Sequence, residues 1–235
     1  MEKRKLAIAV SVLCVLGVSR VLNAAGVPGE VLDVHVIRVE HPPKLDGRLD
    51  DTAWRGAALH GSTVIAGLQA TGADLANCLP LAFLAYDETN LYVATRSFTP
   101  DIDALSAKST QEQFTWRDDL VQVFLEPHLD GVLKHVGINC EGLSSDPAVK
   151  AAVSRDSISW TAEIAIPWEH IGVTPAVGKK MGFNLVANQT TTGDGWISWA
   201  VLYGSALNTD RFGYIHLEPA KHIPHIPSTP EEDDF

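Results

Sequence analysis

Six tryptophans carry the chemistry that residue types alone reveal: Trp54, Trp116, Trp160, Trp168, Trp196 and Trp199. That is more indole than one small core needs. An indole left facing solvent is a large polarisable platform suited to something flat. Reaction chemistry is poorly represented beside them. His41, His60, His128, His135, His170 and His216 show no two-histidine zinc spacing, and no phosphate-cradling glycine loop is present. No nucleophile elbow surrounds Ser106, Ser109, Ser154 or Ser198. Asp118 and Glu126 share one extended run, but their offset does not make the facing carboxylate pair that glycoside hydrolysis needs. The residues favour binding over catalysis, and the chain is read as a non-enzyme.

The ends of the chain bound where such binding takes place. Residues 2–5 are short and net positive, residues 6–18 are apolar apart from Ser11 and Gly17, and Ala24 and Ala25 follow. Residues 1–25 therefore read as an export signal, cleaved near Ala24 or Ala25. The apolar run, about 13 residues, is short for a bilayer span, so the mature protein is expected to be secreted or periplasmic and not integral to the membrane. The formal net charge is −11. Losing Glu2, Lys3, Arg4, Lys5 and Arg20 removes +3 and leaves −14. An acidic surface repels nucleic acid and anionic lipid, and no basic patch lies beside aromatics. Cys78 and Cys140 remain after cleavage. They can pair in an oxidising compartment, or each can be a small buried residue.

Short strand-like segments must position the tryptophans. They cover residues 31–39, 80–86, 90–97, 119–125, 134–140, 157–166, 181–189, 196–201 and 212–217. Asp87, Glu88 and Thr89 join two of them as an antiparallel hairpin. Asp46 and Gly47 form a tight turn, with Asp46 fixing it through backbone. Asp50 or Asp51 caps a short helical turn through Trp54 and Ala58. Residues 168–171 make one more helical turn. No segment is long enough for an ordinary core helix, and no internal repeat is present. The expected fold is all-β: a single antiparallel β-sandwich, jelly-roll-like, over residues 31–218, with short helical turns only. Residues 219–235 are proline-rich, end in acids and read as a disordered tail.

Several of these pieces occur in an order that resembles the family-9 carbohydrate-binding modules and their wider sandwich superfamily. They are KLDGRLDDTAW (44–54), YDETNLYVA (86–94), WRDDLVQVFLE (116–126), WTAEIAIPW (160–168), GFNL (182–185) and RFG (211–213). The resemblance covers nearly the whole mature chain and implies non-catalytic carbohydrate binding by an aromatic clamp, in support of polysaccharide breakdown and in association with glycoside hydrolases. It places Trp116 as one clamp wall and Trp199 as the other, with Trp196 the second choice. Asp118 and Asp119 are candidates to accept hydrogen bonds from sugar hydroxyls. Gln122 stands where the family pattern often has an acid. Arg96 is a fork over a hydroxyl or a structural partner of Asp119, and Asn184 and Asn188 can line the cleft. Asn188-Gln189-Thr190 is also a glycosylation sequon. Trp54, Trp160 and Trp168 read as structural.

The superfamily also implies alternatives. Family members carry structural calcium, and Asp87, Glu88, Asp101 and Asp103 are oxygen donors, but no spacing assigns a site. No cofactor is otherwise expected. Haem-carrying relatives use methionine with histidine or lysine, which here means Met181 with His135, Lys179 or Lys180. A structural or adhesive module with a protein partner is the third reading.

Overall fold

The computed structural model describes residues 32–69, 74–202 and 204–224. The expected export signal lies outside them. Among the described residues twelve strands form one curled mixed sheet. They are β1 (Asp33–Arg38), β2 (Thr63–Ile65), β3 (Leu68–Gln69), β4 (Leu81–Tyr86), β5 (Asn90–Phe98), β6 (Leu120–Glu126), β7 (Lys134–Asn139), β8 (Lys150–Arg155), β9 (Ser159–Pro167), β10 (Lys180–Gln189), β11 (Gly195–Ser198) and β12 (Gly213–Ala220). The main path runs β3-β11-β10-β12-β1-β4-β5-β9-β8, with β2 on β4, β6 on β10 and β7 on β6. The all-β, sandwich-like fold expected from the sequence is the one found. Nine strands match expected segments. Strands β2, β3 and β8 were missed because they are short or small-residue-rich and lack a clear apolar alternation.

The sheet is not purely antiparallel. Strand β1 runs parallel to β12 and, for two residues, parallel to β4. Its register shifts between Ile37 and Arg38, so one strand turns the corner between the two halves of the sandwich. Side-chain alternation reports which face a residue occupies and carries no information on strand direction, so the sequence did not reveal this.

The interior follows the alternation. Val121, Val123 and Leu125 of β6, Met181, Phe183 and Leu185 of β10, and Trp160, Ala162 and Ile164 of β9 all enter one buried core. Helix α1 (Thr52–Leu59) is alanine-rich, which favours helix, and ends before Gly61 in a left-handed conformation. Asp51 sits at its N-cap position, but its carboxylate accepts from the Lys44 backbone N–H and does not cap the helix. Trp54 packs this helix on the outer faces of β4, β5 and β9, among Ala85, Tyr92, Ala94 and Ala165. The buried Glu163 carboxylate pins the neighbouring turn. It accepts from the backbone N–H groups of Asp46 and Gly47 at 2.9 and 2.7 Å, and from Trp54 Nε1 at 2.7 Å.

Helix α2 (Trp168–Ile171) is the expected single turn. Trp168 is buried and donates to the Asp87 carbonyl, closing one end. Residues 219–224, assigned to a tail, are in part structured. Pro219 and Ala220 complete β12, and the His222 carbonyl accepts from His60. Residues 225–235 lie outside the described region. No described helix is long and apolar enough to cross a membrane.

Candidate functional site

Four strands, β7, β6, β10 and β11, lie side by side and present one outer face. Gly137, Gln122, Val186 and Ser198 form one cross-strand row on it. His135, Phe124 and Asn184 form the next row, and Asn139, Leu120, Asn188 and Trp196 a third. Phe124 and His135 are register partners whose rings stack at 4.1 Å and 8°. Trp116 stacks on His135 at 4.4 Å and 22°, with Phe114 edge-on at 4.9 Å. Gly137 lets the Trp116 ring lie close over the sheet: a Cβ there would stand 2.7 Å from the ring and displace it. Trp116 thus lies on an aromatic base and remains 37% exposed.

The loop carrying Trp116 is tied down by buried polar groups. Asp118 accepts from the backbone N–H groups of Lys108 and Ser109 and from Asn139 Nδ2. Burial raises the pKa of Asp118, but these hydrogen bonds outweigh it and hold the carboxyl below its ordinary range. Asp119 accepts from Ser106 N–H and from both the N–H and hydroxyl of Thr190. Asn188 donates to the carbonyls of Asp118 and Trp116. Asp118, Asp119 and Asn188 are buried, so they position the tryptophan and do not present atoms to solvent. Burial lowers His135 to about 4. Near neutral pH it is an uncharged ring, and with Nε2 protonated it donates to Gln122 Oε1 at 2.7 Å.

The other expected site residues part company here. Trp199 is 2% exposed and lies in the main core, edge-on to Phe183 and pressed against Gly213. It has no free face, so it is not the opposing wall. It follows β11 with the inward parity of Ile197, and its N–H donates to the Leu185 carbonyl of β10. Trp196, two residues before Ser198, is on the same outer face as Trp116 and is half-buried. Asn184 is fully buried and engaged with Ser198 Oγ and the Ala200 N–H, so it closes the β11 turn and lines no cleft. Arg96 is on the outer face of the opposite half, between β4 and β9. It pairs with Asp156 and Ser159, not with Asp119. Phe114, Phe124 and Gly137 were missed by sequence reasoning, and His135 was weighed only as a metal-binding residue. The alternation of His135 with Gly137, and of Gln122 with Phe124, was the available signal.

The alternative chemistries do not assemble. Met181 is fully buried inside the sandwich, whereas Lys180 and His135 occupy the outer face, so methionine and partner point to opposite sides of the sheet. Lys179, one turn residue before β10, places its backbone against Leu217. Asp87 and Asp101 close turns through their own backbone neighbours, and Glu88 pairs with Arg38. Among the described residues no three acids, histidines or cysteines are grouped to hold a metal ion. Cys78 and Cys140 are both free thiols, and burial pushes Cys140 up to about 11. Asp118 lies just before β6 and Glu126 at its far end, so the strand alone, roughly 20 Å long, separates them. That is far beyond the separation of a glycosidase pair.

Comparison with solved structures gives the same architecture. A family 9 carbohydrate-binding module from Caldicellulosiruptor kristjanssonii in complex with cellotriose superposes with a TM-score of 0.62 at 18% identity, covering 85% of this chain and 100% of that one. The same kind of module from that organism in complex with glucose gives 0.62 at 17%, covering 83% and 100%. A putative carbohydrate-binding protein from Bacteroides uniformis ATCC 8492 gives 0.61 at 15%, covering 80% and 100%. No curated protein matches the chain significantly. At these identities the structures establish the fold. The sequence itself matches, over residues 45–220, the family described as carbohydrate family 9 binding domain-like, and the chain belongs to that family.

Proposed function

We propose that this protein binds carbohydrate without transforming it, on the outer face of β6, β7, β10 and β11, with Trp116 as the stacking platform. The observation that carries the reading is the exposed indole of Trp116, held on His135 and Phe124 by a loop anchored through the Asp118 and Asp119 carboxylates. A pyranose presents axial C–H bonds on an apolar face, and a rigid indole meets that face at low entropic cost. His135 covers one face of Trp116 and Phe114 packs at an angle to it, so a sugar meets the 37% of the residue left exposed. Trp196 supplies a second contact on the same sheet face. Three strand spacings, roughly 14 Å, separate the backbone of β11 from that of β7. This favours a ligand of more than one sugar unit over a single ring gripped between two indoles.

The family membership and the sugar complexes of the two C. kristjanssonii modules support the ligand class. Residues 1–25 support export, and an exported glycan binder serves polysaccharide breakdown by holding a hydrolase near its substrate. Retention of the protein on insoluble and soluble glycans, with Trp116→Ala beside it, tests the reading. Absence of binding to plant, algal and bacterial polysaccharides alike would overturn it.

A further inference from the structure

Three of the nine arginines of this acidic chain meet in one place far from Trp116. Arg48, Arg96 and Arg155 line a cavity of about 310 Å³. Its floor is the outer face of β5, β9 and β8, where Arg96, Thr161 and Ser154 form a cross-strand row. Its rim is the turn at Gly47 and Arg48, which Glu163 pins from below.

The arginines are positioned but not saturated. Arg48 reaches Asp50 through Nε and Nη2. Arg96 uses Nε on Ser159 and Nη2 on Asp156. Arg155 uses Nη2 on the Cys140 carbonyl and on Glu141. The three Nη1 groups make no hydrogen bond among the described residues. Each guanidinium is balanced by one carboxylate, Asp50, Asp156 or Glu141, so on a chain whose net charge is −11 the cavity carries no acidic excess and keeps the three Nη1 groups as donors. No aromatic ring lines it, so it offers no stacking platform for a neutral sugar. Planar N–H forks around a cavity match a planar carboxylate, which they bind through paired charge-assisted hydrogen bonds.

We propose that this cavity is a second binding site, specific for the carboxylate of an acidic sugar unit. It is independent of the Trp116 face in position and in chemistry. A glycan bearing uronic acids can occupy it whether or not a neutral chain occupies the aromatic face.

Calorimetric titration of the full chain with digalacturonic acid, sodium acetate and cellotriose tests the proposal, using Arg48→Ala, Arg48→Lys and Trp116→Ala. The Arg48 side chain is 69% exposed and bonds only to Asp50, so its removal leaves the fold intact, as thermal melting would check. Digalacturonic acid should bind the parent and Trp116→Ala alike. It should bind Arg48→Ala about tenfold more weakly, the effect of losing one charge-assisted contact. Arg48→Lys should fall between, keeping the charge without the fork. Affinity should drop as salt rises, because the contact is partly exposed. Absence of digalacturonate binding, or binding lost with Trp116 and indifferent to Arg48, would overturn the site. Acetate binding as tightly as the disaccharide would overturn its assignment to a sugar. Cellotriose responds to Trp116 alone, so its result judges the aromatic face separately.

Discussion

The indole of Trp116 lies over the imidazole of His135, with 4.4 Å between ring centroids and 22° between planes. His135 in turn covers Phe124, so one exposed ring is backed by two partly or fully buried ones. A platform built this way loses little freedom when a ligand arrives, which is the main cost that weakens binding by exposed side chains.

Replacing Trp116 and Trp199 should separate binding from folding. Trp116→Ala is expected to reduce glycan affinity by about 2 kcal/mol or more, the scale of an aromatic hot spot. Its melting temperature should fall far less than that of Trp199→Ala, which empties a core position and should cost about 3–5 kcal/mol of stability. Glycan titration and thermal melting of both variants give the answer. A large stability loss for Trp116→Ala with unchanged affinity would contradict the placement of the platform.

The stack should respond to acid. Burial holds His135 at about 4 in the folded chain, against an ordinary value of 6.5. Between those values the unfolded chain takes up the proton more readily than the folded one. Stability from a neutral His135 is therefore present above about pH 6.5 and is lost as pH falls toward 4. His135→Phe keeps a ring between Trp116 and Phe124 and cannot titrate. Urea unfolding at pH 7, 6, 5 and 4 should show the parent losing more stability across that window than the variant does. Parallel pH profiles would remove the assignment.

The loop that carries Trp116 hangs on Asp119. Its carboxylate accepts three hydrogen bonds, two of them from Thr190 across the sheet. Asp119→Ala leaves those donors unpaired and should cost about 2–3 kcal/mol. Limited proteolysis should then cut within residues 105–117 sooner than in the parent. A variant that melts like the parent and resists cleavage would show that the loop is held by other means.

Glu163 is the equivalent tie on the opposite half. Glu163→Gln replaces one acceptor oxygen by an NH₂ that must confront either Trp54 Nε1–H or the N–H groups of Asp46 and Gly47. The expected loss is about 2–3 kcal/mol. Denaturant titration measures it, and a neutral outcome would mean that the turn at residue 46 relaxes around the amide.

What the sequence by itself determined follows from local rules. Period-two alternation of apolar residues located nine strands and assigned Trp160 its inward face, because in a strand the side-chain direction depends only on parity. Asp46 and Gly47 announced their turn, since the Asp46 carboxylate caps the Arg48 N–H two residues on and Gly47 takes a positive φ. The ordered motifs announced the family. Trp199 obeys the same parity, inward with Ile197 and opposite to Trp196, and its N–H still donates to the Leu185 carbonyl of β10; its place as a clamp wall came from the family resemblance, which carries no information on the face. Asp118 and Asp119 looked like ligand contacts because a carboxylate's type does not reveal its partners. Only the folded sheet brings Lys108, Asn139 and Thr190 to them. Arg96 and Trp116 were expected in one cleft, yet the curl of the sheet sets them on opposite halves. That separation is decided by strand order, which depends on contacts between residues far apart in the chain and leaves no trace in any short window of sequence.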